Sequence, residues 1–294
     1  MVTYVQSETR YVSPENIITE VLDEICEIIF LAPHYDDLPL SIGGIVRVLN
    51  GAVRVTNVNV FSLSQYVSPE YNDPSIPGDA LTLTQERIRF VTDIRKREDE
   101  QCLGLLGITD LIYLDKNEAP LRGYLDLDGS SGITFPLARP GWHERESGLV
   151  EELKRTFKDY MKKKGNVFVP LVIKYHIDHT VVRRAALDAA RELYNEGKLE
   201  ATVFFYEDQP YAGLSDSSLD DWSDVRIIIE CCQAYDILID LEEKLRLIDF
   251  YPSQREEGYE NGVRNRAQII GEEYPCTGPA ERFYKLDPST LAEL

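Results

Sequence analysis

The chain has 294 residues, 43% of them hydrophobic, with 31 basic against 51 acidic side chains and a formal charge of −20. That length buries a substantial core, no run reaches the roughly 18 apolar residues of a membrane span, and the acidic surface disfavours nucleic acid and anionic lipid. The N-terminal stretch carries Glu8, Glu15 and Glu20 and lacks the basic-then-apolar layout of a signal peptide, so a cytoplasmic protein is expected.

Ser13-Pro14-Glu15 reads as a helix start with Ser13 as its cap, followed by Ile17, Ile18, Val21, Leu22 and Ile25 at helical spacing. Glu27 to Ala32 is a short apolar strand that stops at Pro33, and a glycine-bearing helix from about Ser41 to Leu49 follows. Val53 to Phe61 reads as a second strand. Ser62 to Thr84, with Pro69, Pro74, Pro77 and Gly78, is a long loop of the kind that often serves as a lid. A charged helix spans Leu83 to Leu106 and a short strand Leu111 to Leu114. A second irregular stretch, Asp115 to Trp142, holds Gly123, Gly129, Gly132, Pro136, Pro140 and Gly141. Then come a helix (Glu144 to Lys163), a strand (Asn166 to Leu171), a helix (His179 to Asn195) and a strand (Thr202 to Tyr206). The last third reads as a strand at Val225 to Glu230 and helices near Ile237 to Phe250 and Arg264 to Ile270. Short apolar strands alternating with amphipathic helices predict an α/β fold, a Rossmann-like three-layer sandwich with a mostly parallel sheet. No Pro/Gly-rich linker or internal repeat interrupts it, so a single domain over 1–294 is expected, with a core about 25–210 and a C-terminal elaboration about 211–294.

Five cysteines, Cys26, Cys102, Cys231, Cys232 and Cys276, form no CxxC pair. Neither a disulfide scaffold nor a thiolate zinc cluster is expected, so any metal falls to His and carboxylates. Of only four histidines, three lie in two short segments, each after an apolar strand and before a helix: Pro33-His34-Tyr35-Asp36-Asp37 and His176-Ile177-Asp178-His179. In an open parallel sheet, ligands bind outside the carboxyl ends of the strands. Imidazole and carboxylate suit a catalytic zinc with three protein ligands and an open position. Paired aspartates allow one to bind metal while the other accepts a proton. The second segment can supply a ligand, a carboxylate that orients an imidazole, and another imidazole for the reacting oxygen. His143, beside Trp142, reads as an ordinary surface residue.

These residues resemble the motifs of the PIG-L (LmbE-like) deacetylases, a family that includes the de-N-acetylases of GlcNAc-phosphatidylinositol and of bacterial thiol-sugar precursors. The family's His-Pro-Asp-Asp-Glu is matched by His34-Tyr35-Asp36-Asp37-Leu38, with Gly43-Gly44 after it, and its His-Pro-Asp-His by His176-Ile177-Asp178-His179. Arg95-Lys96-Arg97-Glu98 and Leu106-Gly107 fit the Arg-x-x-Glu helix that ends in Leu-Gly. The likeness runs from about Glu27 to Tyr211, and Tyr206-Glu207-Asp208-Gln209-Pro210-Tyr211 and Tyr251-Pro252-Ser253-Gln254 are similar to stretches of bacterial members.

The resemblance implies one Zn2+ held by His34, Asp37 and His179, with another divalent metal such as iron or cobalt open to the same ligands. It implies Asp36 as general base and then acid, His176 as a stabiliser of the oxyanion, and Asp178 as the carboxylate that orients an imidazole. Arg95 is implied as a substrate-positioning residue, against the alternative of a helix-surface Arg paired with Glu98. The expected partner is a small N-acylated sugar or glycoconjugate, and a homo-oligomer is compatible with the sequence. Tyr35, Leu38 and Ile177 depart from the family's Pro, Glu and Pro; the loss of the Glu bears on the polarity of the pocket. The rival readings are an amidase or deacylase acting on a non-sugar amide, and a catalytically silent glycan-binding module on the same fold. A dinucleotide-binding oxidoreductase is disfavoured, because no Gly-rich turn follows the first strand.

Overall fold

In the computed structural model, which describes residues 9–22, 27–49, 51–79, 82–124, 137–138, 141–214, 223–273 and 278–294, the apolar runs form strands of one sheet. Cys26, Cys276, the end of the first expected helix and much of the second irregular stretch lie outside the described residues. The strands are β1 (Arg10–Val12), β2 (Glu27–Ala32), β3 (Arg54–Asn59), β4 (Asp110–Tyr113), β5 (Gly165–Pro170), β6 (Ala201–Tyr206), β7 (Cys232–Leu238) and β8 (Ala280–Leu286). Their order is β1-β7-β8-β6-β5-β2-β3-β4. The stretch β6-β5-β2-β3-β4 is wholly parallel, with Ile28 paired to Val55 on one side and to Asn166 on the other. Only β8 runs antiparallel to its neighbours, β6 and β7.

The period-2 alternation of the strands divides the core into two apolar layers. Ile29 and Leu31 of β2, Val167 and Val169 of β5, and Val203 and Phe205 of β6 face one side. There they meet α4 (Trp142–Met161) and α5 (Ile177–Asn195) through Val150, Leu153, Phe157, Val181 and Ala185. Ile28, Phe30, Phe168, Phe204 and Tyr206 face the other side. They pack with residues of α1 (Ile17–Glu20), α2 (Asp37–Leu49) and α3 (Gln85–Leu105), and with α7 (Leu241–Ile248) and α8 (Tyr259–Glu272), which follow α6 (Ser223–Glu230). The predicted three-layer α/β architecture is the one observed.

Several local expectations need correction. The first helix is a 3-10 turn at Pro14–Asn16 followed by one α-turn, and the Ser13 side chain makes no cap bond. The helix expected from Ser41 begins at Asp37 and breaks at Ile42, whose φ of −127° and ψ of 17° are non-helical. The break leaves new helical N–H groups without intrahelical partners. The carboxylate of Glu281 on β8 accepts two of them, from Gly44 at 3.0 Å and Ile45 at 2.8 Å, and is neutralised by buried Lys244. A Cβ at Gly44 would lie 2.8 Å from Ile239, so glycine permits this approach.

The strand expected at Val225 to Glu230 is helix α6, and the strand is Cys232–Leu238, which overlaps the start of the expected helix from Ile237. Val225 and Ile228 are buried one turn apart while Ile227 is 55% exposed, so packing overrides the strand preference of this β-branched run. The true strands β7 and β8 were masked by charge. Asp236 and Arg282, on paired positions, form a two-bond ion pair at 2.6 and 2.7 Å that lets both sit within the sheet.

Candidate metal centre and active site

From β2 the chain passes outward to β3 and β4, whereas β5 and β6 lie on the other side of β2. The carboxyl ends of β2 and β5 therefore flank a topological switch point, where open α/β sheets leave a crevice. Both histidine segments arrive there. Past Ala32 and Pro33, the His34 backbone N–H donates to Asp37 Oδ2 at 2.6 Å, which folds the first segment back on itself at the start of α2. Past Pro170, His176 caps α5, its Nδ1 accepting the Asp178 N–H at 3.2 Å.

The three histidine rings cluster, with centroids 4.9 Å (34 to 176), 5.2 Å (34 to 179) and 5.1 Å (176 to 179) apart. One ligand atom each from His34, Asp37 and His179 lies within 4.8 Å of the others. His179 Nε2 is 3.5 Å from Asp37 Oδ1, and His34 Nδ1 is 3.7 Å from Asp37 Oδ2. The opposite nitrogen of each ring is held by a carboxylate: His34 Nε2 by Asp178 Oδ2 at 2.9 Å, and His179 Nδ1 by Asp208 Oδ1. Such carboxylate–imidazole pairs aim a lone pair at a metal. His179 Nε2 is also buried with no hydrogen-bond partner, and a metal ligand is what would satisfy it. Two imidazoles and a carboxylate fit a divalent ion such as zinc. A second grouping, His34, His176 and Asp178, fits less well. Asp178 is already taken up by His34, by the Ala119 N–H at 3.0 Å and by Arg122 Nη1 at 2.6 Å.

Electrostatics agree with that assignment. Burial pushes His179 down, but the carboxylates of Asp37 and Asp208 outweigh it and hold the imidazole up at about 9. Burial raises Asp37 against the opposing pull of His179 and His34. The crevice therefore favours added positive charge. Burial also pushes Asp178 up, yet Arg122 and His34 overcome it and hold the carboxyl well below the usual range. His176 is lowered by burial first and by His34 second, which keeps it neutral.

Asp36 sits beside this group with its side chain 13% exposed, and Arg95 Nη2 lies 3.8 Å from its Oδ1. Arg95 is not the surface partner of Glu98. It is buried, bonded to Glu118 at 2.9 Å and to Ser64 Oγ at 2.7 Å, while Glu98 is held by the Ser253 hydroxyl and N–H. Glu118 in turn accepts the N–H groups of Gln65 and Tyr66, tying the first long loop to the site. Leu38 is fully buried in the apolar layer, so its side chain contributes to the core. Tyr35 is buried and donates to the Ser62 carbonyl at 2.7 Å, and Ile177 is buried as the first residue of α5. His143 is exposed and packs edge-on against Trp142. Sequence reasoning missed the roles of Arg122, Glu118 and Asp208 in the site. Asp208 alone carried a signal, as a carboxylate just past the end of a parallel strand.

A family model described as GlcNAc-PI de-N-acetylase (PIG-L) matches residues 29–190. A 2'-N-acetylparomamine deacetylase from Streptomyces fradiae is 27% identical over 190 residues, which are 64% of this chain and 59% of that relative's length. Among solved structures, the zinc-inhibited form of the teicoplanin deacetylase Orf2 superposes with a TM-score of 0.61 at 17% identity, covering 89% of this chain and 98% of that one. N,N'-diacetylchitobiose deacetylase from Pyrococcus horikoshii gives a TM-score of 0.53 at 18% identity, covering 94% and 92%. At these identities the structural likeness is one of fold.

Proposed function

The chain belongs to the PIG-L family, and from that premise we propose that it is a zinc-dependent hydrolase removing an N-acetyl group from an amino sugar or glycoconjugate. The observation that carries the reading is the convergence of His34, Asp37 and His179 within 4.8 Å at the switch point, with the buried His179 Nε2 unpartnered. The amino-sugar substrate rests on the relatives, which are named as deacetylases of acetylated paromamine and chitobiose.

The bound ion would be held by those three residues and would supply a Lewis acid that polarises the acyl carbonyl and acidifies water. Asp36, whose side chain is 13% exposed, takes the proton of the attacking water and returns it to the leaving amine. Arg95, itself fixed by Glu118, sets the direction of the Asp36 carboxylate. His176 accepts the Asp178 N–H at Nδ1, so its proton resides on Nε2, where it can donate to the tetrahedral oxyanion. Asp178 orients His34 and binds no metal. Amides resist attack, so these groups must favour the tetrahedral state over the bound substrate.

The test is release of acetate and free amine from N-acetylated amino sugars by zinc-loaded protein, with acylated non-sugar amines alongside. Turnover of the sugars that is abolished by chelation supports the reading. Preference for non-sugar amides would redirect it to an amidase, and binding without turnover would leave a glycan-binding module.

A further inference from the structure

The segment between β5 and α5 that delivers His176 and His179 is strained. Val172, Lys174 and Tyr175 have φ values of 68°, 64° and 57°, in the left-handed region that non-glycine residues avoid. Such residues persist only where their surroundings over-determine them. At Val172 the branched side chain makes the conformation especially unfavourable.

The determinant is Asp208, which lies just past β6 and is fully buried. Its Oδ2 accepts two successive N–H groups at the start of the strained turn, from Val172 at 2.6 Å and Ile173 at 3.2 Å. Its Oδ1 holds Nδ1 of His179. The far end of the turn is clasped where Ala138 N–H donates to the Tyr175 carbonyl at 2.8 Å. One carboxylate thus touches both the ring of the expected metal ligand and the backbone that leads to His176.

We infer that Asp208 is a positioning residue shared by the two halves of the site: one oxygen fixes His179 with its proton on Nδ1 and its Nε2 lone pair toward Asp37, and the other holds the strained turn that presents His176. This rests on the metal-dependent reading above. Both tasks require an acceptor. An amide of the same shape has one acceptor and one donor, so it cannot perform both. In Asp208→Asn, an NH2 facing His179 would demand an unprotonated Nδ1 and place the proton on Nε2. The reverse flip would set that NH2 against two backbone N–H donors.

The test compares wild type and Asp208→Asn by zinc titration against a chromogenic chelator, with thermal unfolding as a control for the fold. A wild type that binds no zinc would defeat the metal-dependent reading itself. With wild-type binding in hand, Asp208→Asn is expected to bind zinc roughly 10–100-fold more weakly, and affinity within twofold of wild type would overturn the inference. At saturating zinc, the kcat losses of Asp208→Asn and His176→Ala are expected to be non-additive; additive losses would contradict a shared role. Should Asp208→Asn fail to fold, 15N-edited NMR of zinc-loaded wild type still decides. A slowly exchanging His179 Nδ1–H is expected, and a rapidly exchanging or Nε2-bound proton would overturn the assignment.

Discussion

The two turns that build the site reach it by different means. The first, from Pro33 to Asp37, is locally closed: its key bond joins residues three apart, and none of its residues has a positive φ. The second, from Leu171 to His176, has three non-glycine residues of positive φ and is held from elsewhere by Asp208, by Ala138 and by Arg183 Nη1 on the Leu171 carbonyl at 2.6 Å. Arg122 completes the remote bracing through Asp178, with its guanidinium 4.6 Å from the Phe61 ring. The lesson is that one candidate ligand group can combine a motif that shapes itself with a motif shaped by residues some 30–60 positions away, as the separations of Asp208 from Val172 and of Arg122 from Asp178 show.

Variants on the two sides should differ in kind. The largest effect belongs to the first turn: Asp36→Asn is expected to lower kcat by about 10²–10⁴-fold, with zinc content and melting temperature unchanged. Near-normal acetate release from it would remove Asp36 as the base. Next comes the remote brace. Arg122→Met leaves the fully buried Asp178 without its cation, and breaking such a pair costs about 3–5 kcal/mol. Urea unfolding would read this, and a loss below about 1 kcal/mol would mean that the second turn stands without Arg122.

Behind the first turn, Gly44→Ala would sharpen the contrast by its sign. A glycine serving only as a weak helix former gains about 1 kcal/mol on becoming alanine. Here the new Cβ would lie 2.8 Å from Ile239 and 2.9 Å from Glu281 Oε1, so a loss of about 1–3 kcal/mol is expected. An effect confined to one end of the pH range lies outside both turns. Burial is the main cause raising Asp99 to about 7, against hydrogen bonds from Tyr113 at 3.0 Å and Tyr251 at 3.1 Å that lower it. The folded state thus binds this proton more tightly than the unfolded chain. Its contribution is complete below the ordinary carboxylate pKa and is lost as pH rises toward 7. Asp99→Asn should match wild type near pH 4 and exceed it at pH 8 by up to about 4 kcal/mol, the full worth of a rise from 3.8 to about 7. An equal gap at both pH values would show that Asp99 does not titrate in this window.

The contrast between the turns also explains what the sequence disclosed. The parallel strands were legible because each is an apolar run bounded by breakers, and His34, Asp36, Asp37, His176, Asp178 and His179 because they follow those runs directly. Strands β7 and β8 were not, since Asp236, Glu281 and Arg282 look solvent-exposed until their partners are known. Arg95 was visible but its setting was not, because Glu118 and Ser64 are 23 and 31 residues away. Val172 and Tyr175 gave no hint of strain, since their φ values depend on contacts that no local pattern records.

Crystals soaked in zinc, with anomalous scattering measured at the metal edge, test the central claim most directly. The account requires one strong peak bounded by a nitrogen of His34, an oxygen of Asp37 and Nε2 of His179, each at about 2.0–2.2 Å. A peak held by other residues, or none at a saturating soak, would contradict it.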